Sequence, residues 1–428
     1  MAYPIRLEAG PWFTAGEQLD GPTAHERVLA VRNKTVDRHR PYAVYVHVPF
    51  CSSICSFCAL YTFGAGPNSG YRFDEYTDVV LRSLEHNPWY GSVEAPTTVH
   101  FGGGTPLSLG VKRFARLVRG LVDAFGTSQA CEWAVETTTS SLDAEAVDAL
   151  EALQFHRIHL GVQTLNDATR TRIGRRESGA KALQRIATLE ERGFLTSADL
   201  ILGLAGVDEA IVENDLRRLY EAGTRMFSIC ELRERGRQVI PIGLSGPESA
   251  ARTYTLWRTV WKFMEEVGLI PIHVGQFARS QTDNLYYTHP ARGEDCVAIG
   301  PYAHGSAEEV SYGNRLLPEY YEAVRAGVSP IAMGVDHSTG EQALCTLERE
   351  LLTHRISQSA LGKVSDLYLN RFESILDSWF ANGLIREADR EAGFALTVSG
   401  SWFVGNMILE ARAMAEPCGS TALPQESS

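Results

Sequence analysis

Apolar positions follow two periods along this chain, and the two alternate. Residues 42–48 read Tyr-Ala-Val-Tyr-Val-His-Val, a nearly continuous apolar and aromatic run that predicts a buried strand. Pro49 ends it. Similar runs recur at 97–101, 132–137, 157–162, 198–202 and 226–232. Between them the spacing shifts to three and four. Tyr76, Val79, Val80 and Leu84 share one helical face, as do Phe114, Leu117, Val118, Leu121, Val122 and Phe125. Further helices are predicted over 143–153, 168–173, 180–192, 209–221 and 252–267. Six strand–helix units in series predict an α/β fold, a parallel sheet with right-handed crossovers. A partial (β/α)6 barrel and a doubly wound sheet both satisfy the pattern.

The pattern changes on either side of this region. Residues 1–40 have little periodicity and several charges, which predicts an extended N-terminal extension across the surface, with Trp12 and Phe13 as packing anchors. The barrel-like part is assigned to 41–245 and a further stretch of short strands to 246–335. Gly, Ser and Pro gather around 330–342, which reads as a linker. In the last part, 336–415, a helical stripe of Tyr368, Phe372, Ile375, Leu376, Trp379 and Phe380 precedes a capping Asn382-Gly383 and a strand at 394–398. The tail, 416–428, is expected to be disordered.

Composition narrows the classes. A chain of 428 residues, 44% hydrophobic and 21% charged, can bury sizeable cores in two or three domains. No apolar run approaches the ~20 residues of a membrane span, and the N-terminus lacks the apolar stretch of a secretory signal. A net charge of −12 argues against nucleic acid or an anionic membrane as the main partner. Eight cysteines are too sparse for a disulfide scaffold, so a cytoplasmic location is expected. Cys131 and Cys230 fall in apolar runs and read as core; Cys296, Cys345 and Cys418 have no partner at metal-ligand spacing.

The remaining three cysteines sit together in YVHVPFCSSICSFC, as Cys51, Cys55 and Cys58. They lie on a loop leaving a strand end, where α/β folds place chemistry. Three thiolates can hold three irons of a cubane and leave the fourth open. Two other readings exist: Cys55-Ser56-Phe57-Cys58 as a redox pair, or a zinc site completed by His47. One unit later, Gly102-Gly103-Gly104-Thr105-Pro106 follows a strand and lets backbone groups approach a ligand closely. Gly161-Val162-Gln163 ends the fourth strand, with Arg175 twelve residues on. Asp199 stands inside an apolar strand, where it needs a partner or a ligand.

Together these motifs resemble the radical S-adenosylmethionine (SAM) enzymes, and YVHVPFC resembles their HemN-like branch. That branch includes oxygen-independent coproporphyrinogen oxidase, HemW-type haem chaperones and the class C radical SAM methyltransferases and cyclopropanases. The resemblance implies a partial (β/α)6 TIM-like barrel with a small winged-helix-like C-terminal domain. It implies a [4Fe-4S] cluster on Cys51, Cys55 and Cys58, with SAM on the fourth iron. Gly104 and Thr105 would meet the SAM amino end, and Glu136 would be a SAM-binding acid, although the family's following Asn-Pro or Asp-Pro is Thr137-Thr138 here. Gln163 closes the family's GVQ. Arg175 would lie near the SAM carboxylates, Asp199 would contact ribose, Leu232 and Phe57 would border the adenine, and Tyr45 would also touch SAM.

The stretches 275–279, 284–287 and 299–304 resemble the region bordering a second SAM, which places Leu285, Tyr286 and His304 beside it. Leu60 stands where coproporphyrinogen oxidase has a further cysteine, and Ala59-Leu60 where HemW-type chaperones have Asp-Phe. The expected activity is therefore a class C C-methyltransferase, or a methylene transfer or cyclopropanation, on an sp2 carbon of a natural-product intermediate, small-molecule or peptide-derived. Two SAM molecules take part: one yields a 5′-deoxyadenosyl radical, the other gives up its methyl. Tyr286 and His304 would present that methyl. A low-potential donor such as flavodoxin or ferredoxin would supply electrons. The alternatives are a HemW-type haem chaperone and a HemN-like oxidative decarboxylase.

Overall fold

A computed structural model of the chain describes residues 3, 6–7, 16–35, 40–66, 69–92, 94–232, 243, 249–291, 293–337, 339–388 and 393–414. It divides into a large unit, Gln18–Asp336, and a smaller one made from both chain ends. Trp12, Phe13, residues 233–237 of the stretch after the sixth strand, Cys418 and the tail lie outside the described residues.

In the large unit, Tyr42–Val48 (β1), Thr98–Gly103 (β2), Glu132–Thr137 (β3), Arg157–Gln163 (β4), Leu195–Leu202 (β5) and Met226–Glu231 (β6) pair in parallel in chain order. That order decides between the two candidate folds. A doubly wound sheet reverses strand order at its middle, whereas here each strand joins the same growing edge, as in a barrel. The barrel stays open. Asp295–Ile299 (β7) adds a seventh parallel strand outside β1, followed by antiparallel His304–Ala307, Val310–Asn314 and Ile331–Asp336. At the other edge Gln276–Ala278 runs antiparallel to β6.

Three expectations change. The N-terminal segment is not simply extended: Gly21–Thr35 is a helix that buries Ala24, Val28 and Val31 against the Ile331–Asp336 strand. Three apolar positions among charges carry too weak a period to be seen. The linker expected at 330–342 is largely that strand, with Ile331 and Val335 buried. Cys131 is buried, but Cys230 is exposed. Phe227 faces Phe263 of the covering helix Ser249–Glu266, so alternation turns Cys230 inward, at the open end of β6.

The concave face of the sheet holds a short inner helix, Leu285–Ala291, lying against β1, β2 and β7. Tyr286 stacks on His100 with ring centroids 4.1 Å apart and on Tyr45 at 5.4 Å. Further along, His289 Nε2 meets Thr97 Oγ1 at 2.9 Å. Thr97 precedes β2, so the helix points its first turn at the C-terminal rim.

The smaller unit has a three-stranded antiparallel sheet, with Phe394–Leu396 between Arg355–Ile356 and Ile385–Glu387. Helices Thr339–Leu352, Gln358–Ala381 and Val404–Ala413 accompany it. This helix–strand–helix–hairpin order is that of a winged helix. Phe372 and Trp379 are buried as the stripe requires, while Phe380 is 53% exposed. Asn382 caps the helix, and Gly383 follows at φ +65°. The last strand is shorter than expected because Thr397 accepts from Gly400 N and starts a new helix.

Candidate functional site

β1 delivers the chain to the C-terminal rim, and Pro49 turns it into the cysteine loop. Phe50–Cys51 and Phe63–Gly64 tie the loop's ends as a two-stranded ribbon. Cys51, Cys55 and Cys58 are free and part-buried, and Cys58 N donates to Cys55 O at 3.2 Å. The glycine loop after β2 lies directly on this one. Gly104 N donates to Val48 O at 2.8 Å and Thr105 N to Phe50 O at 2.7 Å. A Cβ on Gly104 would fall 2.5 Å from Phe50 O, so only glycine allows the contact. Thr105 Oγ1 reaches Cys51 Sγ at 3.6 Å. Burial pushes the Cys51 and Cys55 thiols up, while Arg175's charge pulls both down, helped at Cys51 by Thr105.

The zinc reading loses its fourth ligand. Tyr61 C=O can only accept, so His47 Nε2, 3.2 Å away, carries the proton; Nδ1 then accepts from Tyr45 Oη at 3.1 Å. Both ring nitrogens are used, and burial lowers the His47 pKa to about 4. Among the described residues no group of three His, Cys, Asp or Glu could hold a single metal ion. The site does fit a cluster with SAM. Three thiols share one loop, a hydroxyl donor serves one of them, and the Arg175 guanidinium stands beside them with Nε buried and unpartnered. Arg175 also lies 5.8 Å over the Phe57 ring.

Inward-facing strand positions form a polar ladder. Arg157 Nη2 donates to Glu132 Oε1 at 3.2 Å and to His100 Nδ1 at 3.4 Å. His100 must therefore carry its proton on Nε2, which donates to Glu136 Oε1 at 3.0 Å; Gly103 N donates to Oε2 at 3.2 Å. Burial would raise the Glu136 pKa, but the His100 hydrogen bond, the nearby His159 and the Gly103 N–H together hold it at about 2. On β4 and β5, His159 bridges Ser197 Oγ and Asp199 Oδ1, each at 2.5 Å. Burial lowers the His159 pKa, and Asp199's charge overcomes that and raises it. Asp199, read from the sequence as needing a partner or a ligand, thus has a protein partner.

The rim of β4 is bent. Gln163 is buried at φ +70°, and Thr164 N donates back to Val162 O at 2.9 Å, a γ-turn of the rare positive-φ kind. Arg170, fully enclosed, clamps the turn by donating to Val162 O and Thr164 O, both at 2.9 Å.

The cysteines, Phe57, Gly104, Thr105 and Arg175 gather at one side of the rim, and Glu136, Gln163 and Asp199 line it further round. Leu232 N donates to Leu202 O at 2.8 Å, closing the β6 end. Leu285 and Tyr286 begin the inner helix beside Tyr45. The His304 ring lies 5.3 Å from that of Tyr302. His100, His159, Arg157, Arg170, Tyr61 and Tyr302 belong to the site region and were not singled out by sequence, and His47 was read only as a zinc ligand. The available signal was alternation: His100 and His159 sit at every-second positions of otherwise apolar strands.

Residues 45–219 match the Radical SAM superfamily. The chain is similar to anaerobilin synthase of Escherichia coli O157:H7, 26% identical over 95% of this chain and 92% of that protein. It is also similar to the haem chaperone HemW of Lactococcus lactis, 29% identical over 42% of this chain and 46% of that one. Among solved structures, coproporphyrinogen III oxidase (HemN) from Escherichia coli superposes with a TM-score of 0.78 at 20% identity, over 92% of this chain and 94% of the other. None of the three is named as a methyltransferase. Among the described residues no helix is long and apolar enough to cross a membrane. Residues 45–219 are thus a radical SAM region in a chain with HemN- and HemW-like homologues, and the superfamily's cofactors are a [4Fe-4S] cluster and SAM.

Proposed function

We propose that this enzyme uses two SAM molecules to transfer a one-carbon unit to an sp2 carbon, and that the acceptor is a tetrapyrrole. The observation that carries the acceptor is the near full-length likeness to a protein named for making a bilin. HemW and HemN, named for haem and coproporphyrinogen, point to the same ring chemistry. The one-carbon step rests on Leu60, where the decarboxylating relatives have a cysteine, and on the second-SAM motifs. It replaces the natural-product acceptor expected at first.

When bound, the cluster supplies the electron that splits SAM into methionine and a 5′-deoxyadenosyl radical. The chain's own residues position and shield. Arg175, with Nε unpartnered, suits a carboxylate. Glu136, held ionised by His100, suits an ammonium. Asp199 keeps Oδ2 for a ribose hydroxyl while His159 holds Oδ1. Tyr286, fixed between Tyr45 and His100, walls the second SAM. A flavodoxin or ferredoxin is the natural reductant for such a site.

The test is anaerobic turnover of reconstituted enzyme with methyl-deuterated SAM and iron protoporphyrin or coproporphyrin. The expected result is 5′-deoxyadenosine carrying deuterium, S-adenosylhomocysteine, and a tetrapyrrole altered by one carbon. Carbon dioxide release without S-adenosylhomocysteine would make it a decarboxylase. Tight haem binding with no SAM cleavage would make it a chaperone.

A further inference from the structure

Charge is spread unevenly around the cysteine loop. The chain carries a net −12, yet the helix Val111–Phe125, which follows the glycine loop, holds Lys112, Arg113, Arg116 and Arg119 against a single carboxylate, Asp123. Phe114, Leu117, Val118 and Leu121 bury one face of it. Lys112, Arg116 and Arg119 recur at helical spacing and are exposed. The helix Gly70–Leu84 lies against this one and neutralises only part of the stripe. Asp74 accepts from Arg113 Nε at 2.5 Å and from its Nη2 at 3.0 Å, and Asp78 pairs with Arg116. Among the described residues Arg72, Lys112 and Arg119 have no ion-pair partner.

One end of the stripe adjoins the cysteines. Ser108 Oγ donates to Phe50 O at 3.2 Å and Thr105 Oγ1 to Cys51 Sγ at 3.6 Å, so the residues just before the helix are tied to the loop. Phe50, next to Cys51, has the Arg72 guanidinium 5.9 Å over its ring. Phe73, 5.1 Å from Phe50, has Arg113 6.0 Å over its own. Tyr71, 71% exposed, precedes Arg72, and Ile54, 41% exposed, belongs to the cysteine loop.

We propose that this stripe, from Arg72 and Lys112 to Arg119, is the docking face for the reductant, an acidic one-electron carrier protein. The proposal rests on the need for a low-potential donor stated above, and not on which acceptor the enzyme modifies. Two negatively charged proteins repel at long range, and a local cationic stripe lets them meet in one orientation. The stripe ends where the electron is needed, one aromatic ring from Cys51. There the carrier loses one electron and an oxidised cluster gains it; no atom or proton moves. Interfaces of this transient kind are small, with apolar anchors inside a charged rim, and Tyr71 and Ile54 suit the anchors.

The experiment delivers electrons to cluster-loaded full-length enzyme with SAM in two ways. One is an acidic flavodoxin, or separately an acidic ferredoxin, kept reduced by its reductase and NADPH. The other is dithionite, which needs no docking face. 5′-Deoxyadenosine is measured, and binding of oxidised flavodoxin is titrated by its flavin fluorescence. In wild type the carrier-driven rate should fall with salt. Lys112→Glu/Arg119→Glu should weaken carrier binding and lower kcat/KM for the carrier at least about tenfold. Its dithionite-driven cleavage, iron content and melting temperature should match wild type. Arg258→Glu/Lys262→Glu makes the same charge change at exposed positions of the helix Ser249–Glu266 and should leave carrier binding unchanged. Equal weakening in both double variants would mean attraction by net charge alone and overturns the face. So does unaltered binding in Lys112→Glu/Arg119→Glu, or a wild type that cleaves SAM with dithionite yet takes electrons from neither carrier. Absence of cleavage with dithionite overturns the radical chemistry instead, while the binding titration still judges the face.

Discussion

The interior ladder and the cysteine rim are built from the same strands, yet they treat polar groups in opposite ways. In the ladder Glu132, Arg157, His100, Glu136, His159, Ser197 and Asp199 are joined by hydrogen bonds, with Arg157 Nη1 the one unpartnered exception. At the rim, Ser56 Oγ, Thr137 Oγ1 and Arg175 Nε are buried without partners. Buried polar groups are nearly always satisfied. The ladder has its partners within the chain and is mostly scaffold, reaching the rim only through Glu136 and Asp199; the open groups of the rim fit a ligand that supplies their partners. Stability should reside in the first, and cofactor binding in the second.

The largest effect separates them outright. Cys55→Ala should lose the cluster and all SAM cleavage, whereas wild type reconstituted anaerobically should hold about four irons. Because the thiol lies outside the ladder, the melting temperature of the metal-free protein should stay within a few degrees of wild type. Iron analysis and calorimetry on the same samples decide it, and a full complement of iron in the variant sinks the ligand assignment.

Next comes a pair of arginines. Arg157→Met leaves Glu132 and His100 facing an empty position in the interior and should destabilise the fold by about 3–5 kcal/mol in urea unfolding. Arg175→Met removes a cation with an unsatisfied nitrogen and should cost about 1 kcal/mol or less, while SAM affinity falls at least about tenfold. Equal destabilisation by the two would erase the distinction between ladder and rim.

The parts legible from sequence follow the same line. Strands β1 to β6 were readable because burial on both faces leaves long apolar runs, and the cysteine, glycine and GVQ motifs because loops carry ligands in fixed order. The partners inside the ladder were not. His159 gives no local sign that Asp199 of the next strand is its mate, since the pairing depends on register. The inner helix was equally hidden: Leu285–Ala291 is seven residues long, below the length at which periodicity speaks. Nor does spacing tell that Tyr302 takes a positive φ.

A third test uses pH. Glu136 has its pKa lowered from 4.5 to about 2, so its contribution is fully present above pH 4.5 and is lost as pH falls toward 2. That depression corresponds to about 3 kcal/mol, for a side chain 25% exposed. Glu136→Gln should be less stable at neutral pH by up to that amount, and its stability should fall less steeply than wild type between pH 4.5 and 2. Parallel acid limbs would mean that Glu136 is not coupled to His100 as the geometry states.

The smallest effect is the most specific. Gln163 holds a γ-turn at φ +70°, where a side chain is strained and glycine is not. Its amide nitrogen crowds Gly161 together with Arg175 Nη2, each 2.9 Å from where a Cβ on Gly161 would be. Gln163→Gly removes the strain and the side chain at once. The relieved backbone should contribute about 0.5–1 kcal/mol, offset by lost packing at a residue only 7% exposed, so net stability should change by less than about 1 kcal/mol. SAM affinity should nevertheless fall, because Arg175 loses the neighbour that limits its swing. Gln163→Ala keeps the strained φ without the amide and should be the less stable of the two. Had Gln163 belonged to the ladder, both variants would be strongly destabilised and SAM binding would follow folding. Unfolding curves and SAM titrations on the two variants separate these outcomes, and an unchanged SAM affinity in Gln163→Gly would make the turn a feature of the fold alone.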